Sequence, residues 1–131
     1  TNASNTKPEL WNKIAELDLS YTNWTFSVDG LQDTNSTYRI RSNWKHITYA
    51  MQTILAMPEE RRPSTLWKWI EFPYNQHQTD KARELAKELG FDKFEARRST
   101  RWIPYSRTTP NIEQYLFPEE LQLWKERNAK L

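Results

Sequence analysis

The chain contains no cysteine. That excludes a disulfide scaffold, a thiolate metal centre and a cysteine nucleophile within its 131 residues. Glycine is nearly absent: Gly30 and Gly90 are the only two. A Gly-rich phosphate loop of the nucleotide-binding type therefore has no counterpart here, and each glycine marks a place where a side chain is not tolerated. No apolar run approaches the roughly 18 residues of a membrane-spanning helix. No basic-then-apolar leader pattern opens the sequence, so a cytoplasmic location is expected. Charge of one sign is also lacking. Lys+Arg number 19 against 17 Asp+Glu, a net +2, too balanced for a nucleic-acid footprint.

What is present is aromatic. Seven Trp, six Tyr and five Phe supply large rings to a chain only 37% hydrophobic, and each ring buries a large area. One folded domain is expected, and wholesale disorder is not.

Thr6-Lys7-Pro8-Glu9 has the form of a capping box, with Thr6 as N-cap and Pro8 in the first turn. Leu10, Trp11, Ile14 and Leu17 follow at helical spacing, predicting a helix over 8–17. The aromatic and β-branched run 21–28 reads as a strand closed by Asp29-Gly30. The polar stretch 31–42 reads as a loop. Trp44, Ile47, Met51, Ile54 and Leu55 predict a second helix over 44–56, broken by Pro58 and Pro63. Residues 65–72 form the second strand. A third helix over 78–89 ends at Gly90, a short strand spans 91–97, and a last helix is expected at 118–129.

Strands alternating with helices of ten or more residues imply an α/β protein with a parallel sheet. Parallel sheets normally bury both faces, and three strands leave two raw edges. The opening lacks an initiator Met and Leu131 stands inside a helical pattern. The expectation is a piece of a longer chain, a βα barrel cut partway round.

In parallel α/β proteins ligands lie at the carboxyl ends of the strands. There the first strand offers Ser27 and Asp29 on one face, the alternative being an ordinary Asp-Gly turn. Asn75 follows the second strand, the alternative being an Asx turn. Arg39 is suited to gripping a carboxylate through two parallel hydrogen bonds, the alternative being a surface arginine. Arg97, Arg98, Arg101 and Arg107 form the densest basic cluster, with a solvated edge as its plainer reading. His46 and His77 have no metal-site or triad spacing. The sequons at Asn2, Asn23 and Asn35 are read as chance matches.

The strand tips together resemble radical S-adenosylmethionine (SAM) enzymes. The opening TNAS resembles the TNGS ending the third strand of their barrel. WTFSVDGL followed by TNSTYR resembles the fourth strand, with its Asp-Gly tip and downstream Tyr-Arg. WKWIEFPYNQHQTDKARELAKELGFDKFEARRSTR is similar to the fifth strand, its helix and the sixth strand. The likeness spans about 1–101, in order, and is closest to the subfamily with a C-terminal auxiliary-cluster region.

The resemblance implies that residues 1–102 are the C-terminal half of a (βα)6 partial TIM-type barrel, with 103–131 an extension of loop and helix. It implies SAM bound across the strand tips. Ser27 and Arg39 would hold its methionine portion, Asp29 would shape the turn, and Asn75 would lie near the ribose and substrate. Asn2, within TNAS, and Arg101, just past the sixth strand, complete the implied set. The full enzyme would draw on an electron donor, form a 5′-deoxyadenosyl radical and abstract hydrogen from a substrate the sequence does not identify. Its 4Fe–4S cluster is held by a C-x3-C-x2-C motif that aligns upstream of Thr1, and Ala3 stands where the family has Gly. Without those ligands the chain is expected to be inert in that chemistry. The competing expectation is a cluster-free, non-enzymatic α/β binding or interaction module.

Overall fold

A computed structural model describes residues 1–3, 7–38, 42–98 and 112–129. The elements are α1 (Pro8–Ile14), β1 (Asn23–Ser27), α2 (Asn35–Tyr38), α3 (Trp44–Leu55), β2 (Ser64–Glu71), α4 (Thr79–Leu89), β3 (Lys93–Arg98) and α5 (Pro118–Ala129). The three strands form one parallel sheet in the order β1-β2-β3. The expected α/β class with a parallel sheet is what the chain adopts.

Pro8 opens α1, where its missing N–H costs nothing, and Lys7 is the N-cap; Thr6 lies outside the described residues. The helix ends at Ile14, so Leu17 is left 55% exposed rather than on an apolar stripe. Asn43 caps α3, its side chain accepting from the His46 N–H at 3.2 Å. Gly90 ends α4 at φ 97°, the left-handed conformation that a helix C-terminus favours. The loop expected over 31–42 contains the short helix α2.

Period-2 alternation divides β2. Thr65, Trp67 and Trp69 are buried on one face, while Leu66, Lys68 and Ile70 are half-buried on the other. The inward face carries the core. Trp67, Trp69, Phe26, Ile47, Met51 and Ile54 are all at most 1% exposed. α4 packs on β2 and β3, and α3 packs on α1 and α4. Trp67 lies 5.6 Å from Phe94, 5.7 Å from Phe91 and 6.2 Å from Trp69, in tilted or edge-on geometries. Such pairs contribute roughly 0.5–1.5 kcal/mol each beyond area burial. The Trp67 indole also donates to the Val28 carbonyl at 3.0 Å.

On the open face, register aligns Ser27, Lys68 and Glu95 in one row across the sheet. Thr1 extends the outer edge of β1. Its amino group donates to the Thr25 carbonyl at 2.8 Å, and its carbonyl accepts from the Ser27 N–H at 2.8 Å. Those bonds bracket Phe26 in the pattern of a parallel ladder. Ala3, 1% exposed, then adopts φ 59°, the left-handed region.

Candidate functional site at the strand tips

The carboxyl ends of β1 and β2 are joined by side chains acting as backbone. Asp29 is fully buried, and its Oδ1 accepts from the Ile70 N–H at 2.8 Å, prolonging the β1–β2 ladder past the last main-chain pair. Asn75, also fully buried, reaches back over β2. Its Oδ1 accepts from the Phe72 N–H at 2.8 Å, and its Nδ2 donates to the Ile70 carbonyl at 2.9 Å and the Asp29 carbonyl at 3.1 Å. The Tyr74 hydroxyl donates to the same Asp29 carbonyl at 3.0 Å. Asn75 therefore ties β2 to β1 by folding back over the residues before it; the Asx turn expected ahead of the next helix does not form, since its side chain makes no cap on the turn that follows. Both Asn75 amide hydrogens are committed to main chain.

Gly30 follows because nothing larger fits. A Cβ there would stand 2.5 Å from the Asn35 nitrogen and the Thr34 carbonyl carbon. Gln78 secures the next turn: its Oε1 accepts from the Thr34 hydroxyl at 2.5 Å and the Leu31 N–H at 3.3 Å, and its Nε2 donates to Asp33 at 2.7 Å. That donation holds the Asp33 carboxyl below its ordinary range. Asn35 is 3% exposed, with its amide donating to the Leu31 and Gln32 carbonyls and its oxygen accepting from Ser42.

A second layer crosses these tips. Ile112, Leu116 and Phe117 are buried. The Gln114 carbonyl accepts from the Tyr74 N–H at 3.3 Å, and the Tyr115 hydroxyl donates to the Thr37 carbonyl at 3.2 Å. Phe72, Tyr74 and Tyr115 form an aromatic trio with centroids 5.4–5.9 Å apart. Phe117 lies under the Arg98 guanidinium at 3.5 Å. Segment 112–117 thus touches the chain after β1, after β2 and at the end of β3.

The sequence-derived site residues fall into three groups. Ser27, Asp29 and Asn75 are brought to one end of the sheet, with Ser27 half-buried on the open face and the other two inside. Asn2 is half-buried beside the Thr1 ladder. Arg39 and Arg101 lie outside the described residues. Of the basic cluster, Arg97 is 3.7 Å from Glu95. His77 is exposed and His46 half-buried, and no group of three or more His, Asp or Glu capable of holding a metal occurs among the described residues. Sequence reasoning missed Tyr74, Gln78 and Tyr115. An aromatic directly after Pro73 was the available signal for Tyr74; Tyr115, some forty residues away, offered none.

An iron–sulfur cluster does not fit this chain's own residues, which include no thiolate. The fit to SAM rests on one hydroxyl at Ser27, since Val28, Asp29 and Gly30 are buried and the Asp29 and Asn75 side chains are engaged within the fold. No helix among the described residues is long and apolar enough to cross a membrane. Comparison with protein-family models, with curated proteins and with solved structures finds no match for the chain.

Proposed function

We propose that this chain is one arc of a larger parallel barrel of the radical SAM type, and that it contributes to SAM binding at the carboxyl ends of its strands. One observation carries the reading. Thr1 prolongs the sheet beyond β1 in a parallel pattern, and two residues later Ala3 turns away at φ 59°. That is the behaviour expected of a TNAS segment ending a preceding strand, with a glycine-type conformation at the position where the resembled family has Gly. The consecutive order β1-β2-β3 is what a barrel arc requires.

In this reading the chain's own residues bind and orient. Ser27 offers a hydroxyl to the amino-acid portion of SAM. Arg39, by the resemblance, pairs with its carboxylate. Asp29 and Asn75 position the tip rather than touch the ligand, by fixing the strand end that carries Ser27. The Phe72–Tyr74–Tyr115 cluster excludes water from that end. SAM would supply the radical chemistry once reduced by a cluster, whose ligands this sequence lacks.

Equilibrium dialysis with SAM tests the proposal. Wild-type chain is expected to retain SAM, Ser27→Ala and Arg39→Ala to retain at least fivefold less, and adenosine to compete poorly. Equal retention by wild type and both variants would remove the site.

A second reading, a non-enzymatic interaction module, is favoured by segment 112–117 packing over the tips. It expects no SAM retention and no change in thermal unfolding with SAM present.

A further inference from the structure

At the amino end of the sheet, opposite the tips, α4 and the start of β3 enclose an open cavity of about 250 Å³ between Arg83, Lys87, Phe91, Asp92, Lys93 and Phe94. Its floor is apolar. Phe91 and Phe94 are half-buried, held by Trp67 at 5.7 and 5.6 Å and, for Phe91, by Phe26 at 5.6 Å.

Its rim is charged, and the charges do not cancel. Asp92 is committed: it accepts from the Thr65 N–H at 2.8 Å and the Thr65 hydroxyl at 3.1 Å, and pairs with Arg62 at 3.1 Å. Arg83 pairs with Asp80 at 2.8 Å while lying 5.4 Å over the Phe94 ring. Lys87 and Lys93 are exposed, and no carboxylate of the described residues lies within ion-pair distance of either. Two uncompensated ammonium groups beside two aromatic rings select for a dianion attached to a flat apolar body. A phosphate monoester is mostly dianionic at pH 7, its second pKa being about 6. The volume equals about eight waters at roughly 30 Å³ each, enough for one ring and its phosphate but not for a dinucleotide.

We propose that this cavity is a binding site for a small single-ring aryl phosphate, with its ring against Phe91 and Phe94 and its phosphate between Lys87 and Lys93. The site is independent of the strand-tip reading and stands or falls separately from it.

Titration of the isotope-labelled full chain with phenyl phosphate, followed by amide NMR, tests it. Saturable shifts are expected within residues 83–94. The double variant Lys87→Gln/Lys93→Gln, both exposed positions, is expected to keep its thermal midpoint and weaken binding about tenfold, as losing two surface charge contacts implies. Lys45→Gln, on α3, should leave affinity unchanged. Inorganic phosphate and phenol should each bind at least tenfold more weakly than phenyl phosphate. Shifts elsewhere in the molecule, equal affinity for inorganic phosphate, or undiminished binding by the folded double variant would each overturn the proposal.

Discussion

Replacing Asn75 measures how far the strand tips depend on one side chain. In Asn75→Ala, the Phe72 N–H and the Ile70 carbonyl lose the partners they hold at 2.8 and 2.9 Å. The Asp29 carbonyl keeps the Tyr74 hydroxyl at 3.0 Å. Asn75 is 0% exposed, so water does not replace its amide without rearrangement. Two orphaned groups, the buried Phe72 N–H and the part-buried Ile70 carbonyl, at about 1–3 kcal/mol each give an expected loss of about 3 kcal/mol. A domain of ordinary stability, about 5–15 kcal/mol, remains folded after that loss. Urea unfolding followed by the fluorescence of buried Trp67 and Trp69 is the assay. With a slope of about 1.5–2 kcal/mol per molar, the midpoint falls by roughly 1.5–2 M at unchanged slope. Asn75→Asp adds a signature. It keeps one acceptor but aims a carboxylate at two carbonyl oxygens, so burial and repulsion raise its folded pKa. A raised carboxyl pKa means the penalty grows as pH rises through the unfolded value, so the gap to wild type is smaller at pH 4 than at pH 7. A loss below 1 kcal/mol for Asn75→Ala would refute the reasoning.

The two glycines separate backbone strain from steric exclusion. Gly90→Ala meets only Arg62 at 3.9 Å, so its cost is the left-handed φ of 97° alone, about 1–2 kcal/mol in urea unfolding; Gly30→Ala, with backbone at 2.5 Å, should cost at least about 2 kcal/mol more. Trp67→Phe orphans the Val28 carbonyl, whereas the buried Trp69 indole nitrogen has no hydrogen-bond partner to lose. Trp67→Phe is therefore expected to cost about 1–2 kcal/mol more than Trp69→Phe by the same assay, and an equal cost would contradict the packing described. At Asp92, burial raises the carboxyl pKa but is outweighed by hydrogen bonds from Thr65 and by Arg62, leaving it lowered. A lowered carboxylate stabilises the fold above the unfolded value near 3.9 and loses that contribution as pH falls through the folded value. Asp92→Asn should thus flatten the stability–pH curve below about pH 4, and an unchanged acid limb would dismiss the role.

The periodic segments were legible because their signals are local. α3 and α4 follow from apolar spacing, with Gly90 as the stop after α4, and β2 from the aromatic and β-branched run around Trp67 and Trp69 that ends before Pro73. α1 proved shorter than its periodicity because Leu17 lies beyond the last turn, exposed. α2 was not foreseen: Asn35 is a poor helix former, and what fixes it is the Leu31 carbonyl and Ser42 around its amide. The positions of Ser27, Asp29 and Asn75 at one end of the sheet were legible from strand order alone. Their division into one open side chain and two committed ones was not, because it depends on hydrogen bonds spanning 41–46 residues. The strap over the tips depends on a contact between Tyr115 and Thr37, 78 residues apart, beyond any periodic signal.

The most direct test of a ligand site at the strand tips is an amide NMR map of the chain titrated with SAM. The account predicts saturable shifts confined to residues 26–31, 39, 74–78 and 112–117, with affinity weakened at least fivefold by Ser27→Ala. Shifts distributed over the helices, or none at millimolar SAM with the fold intact, would contradict it.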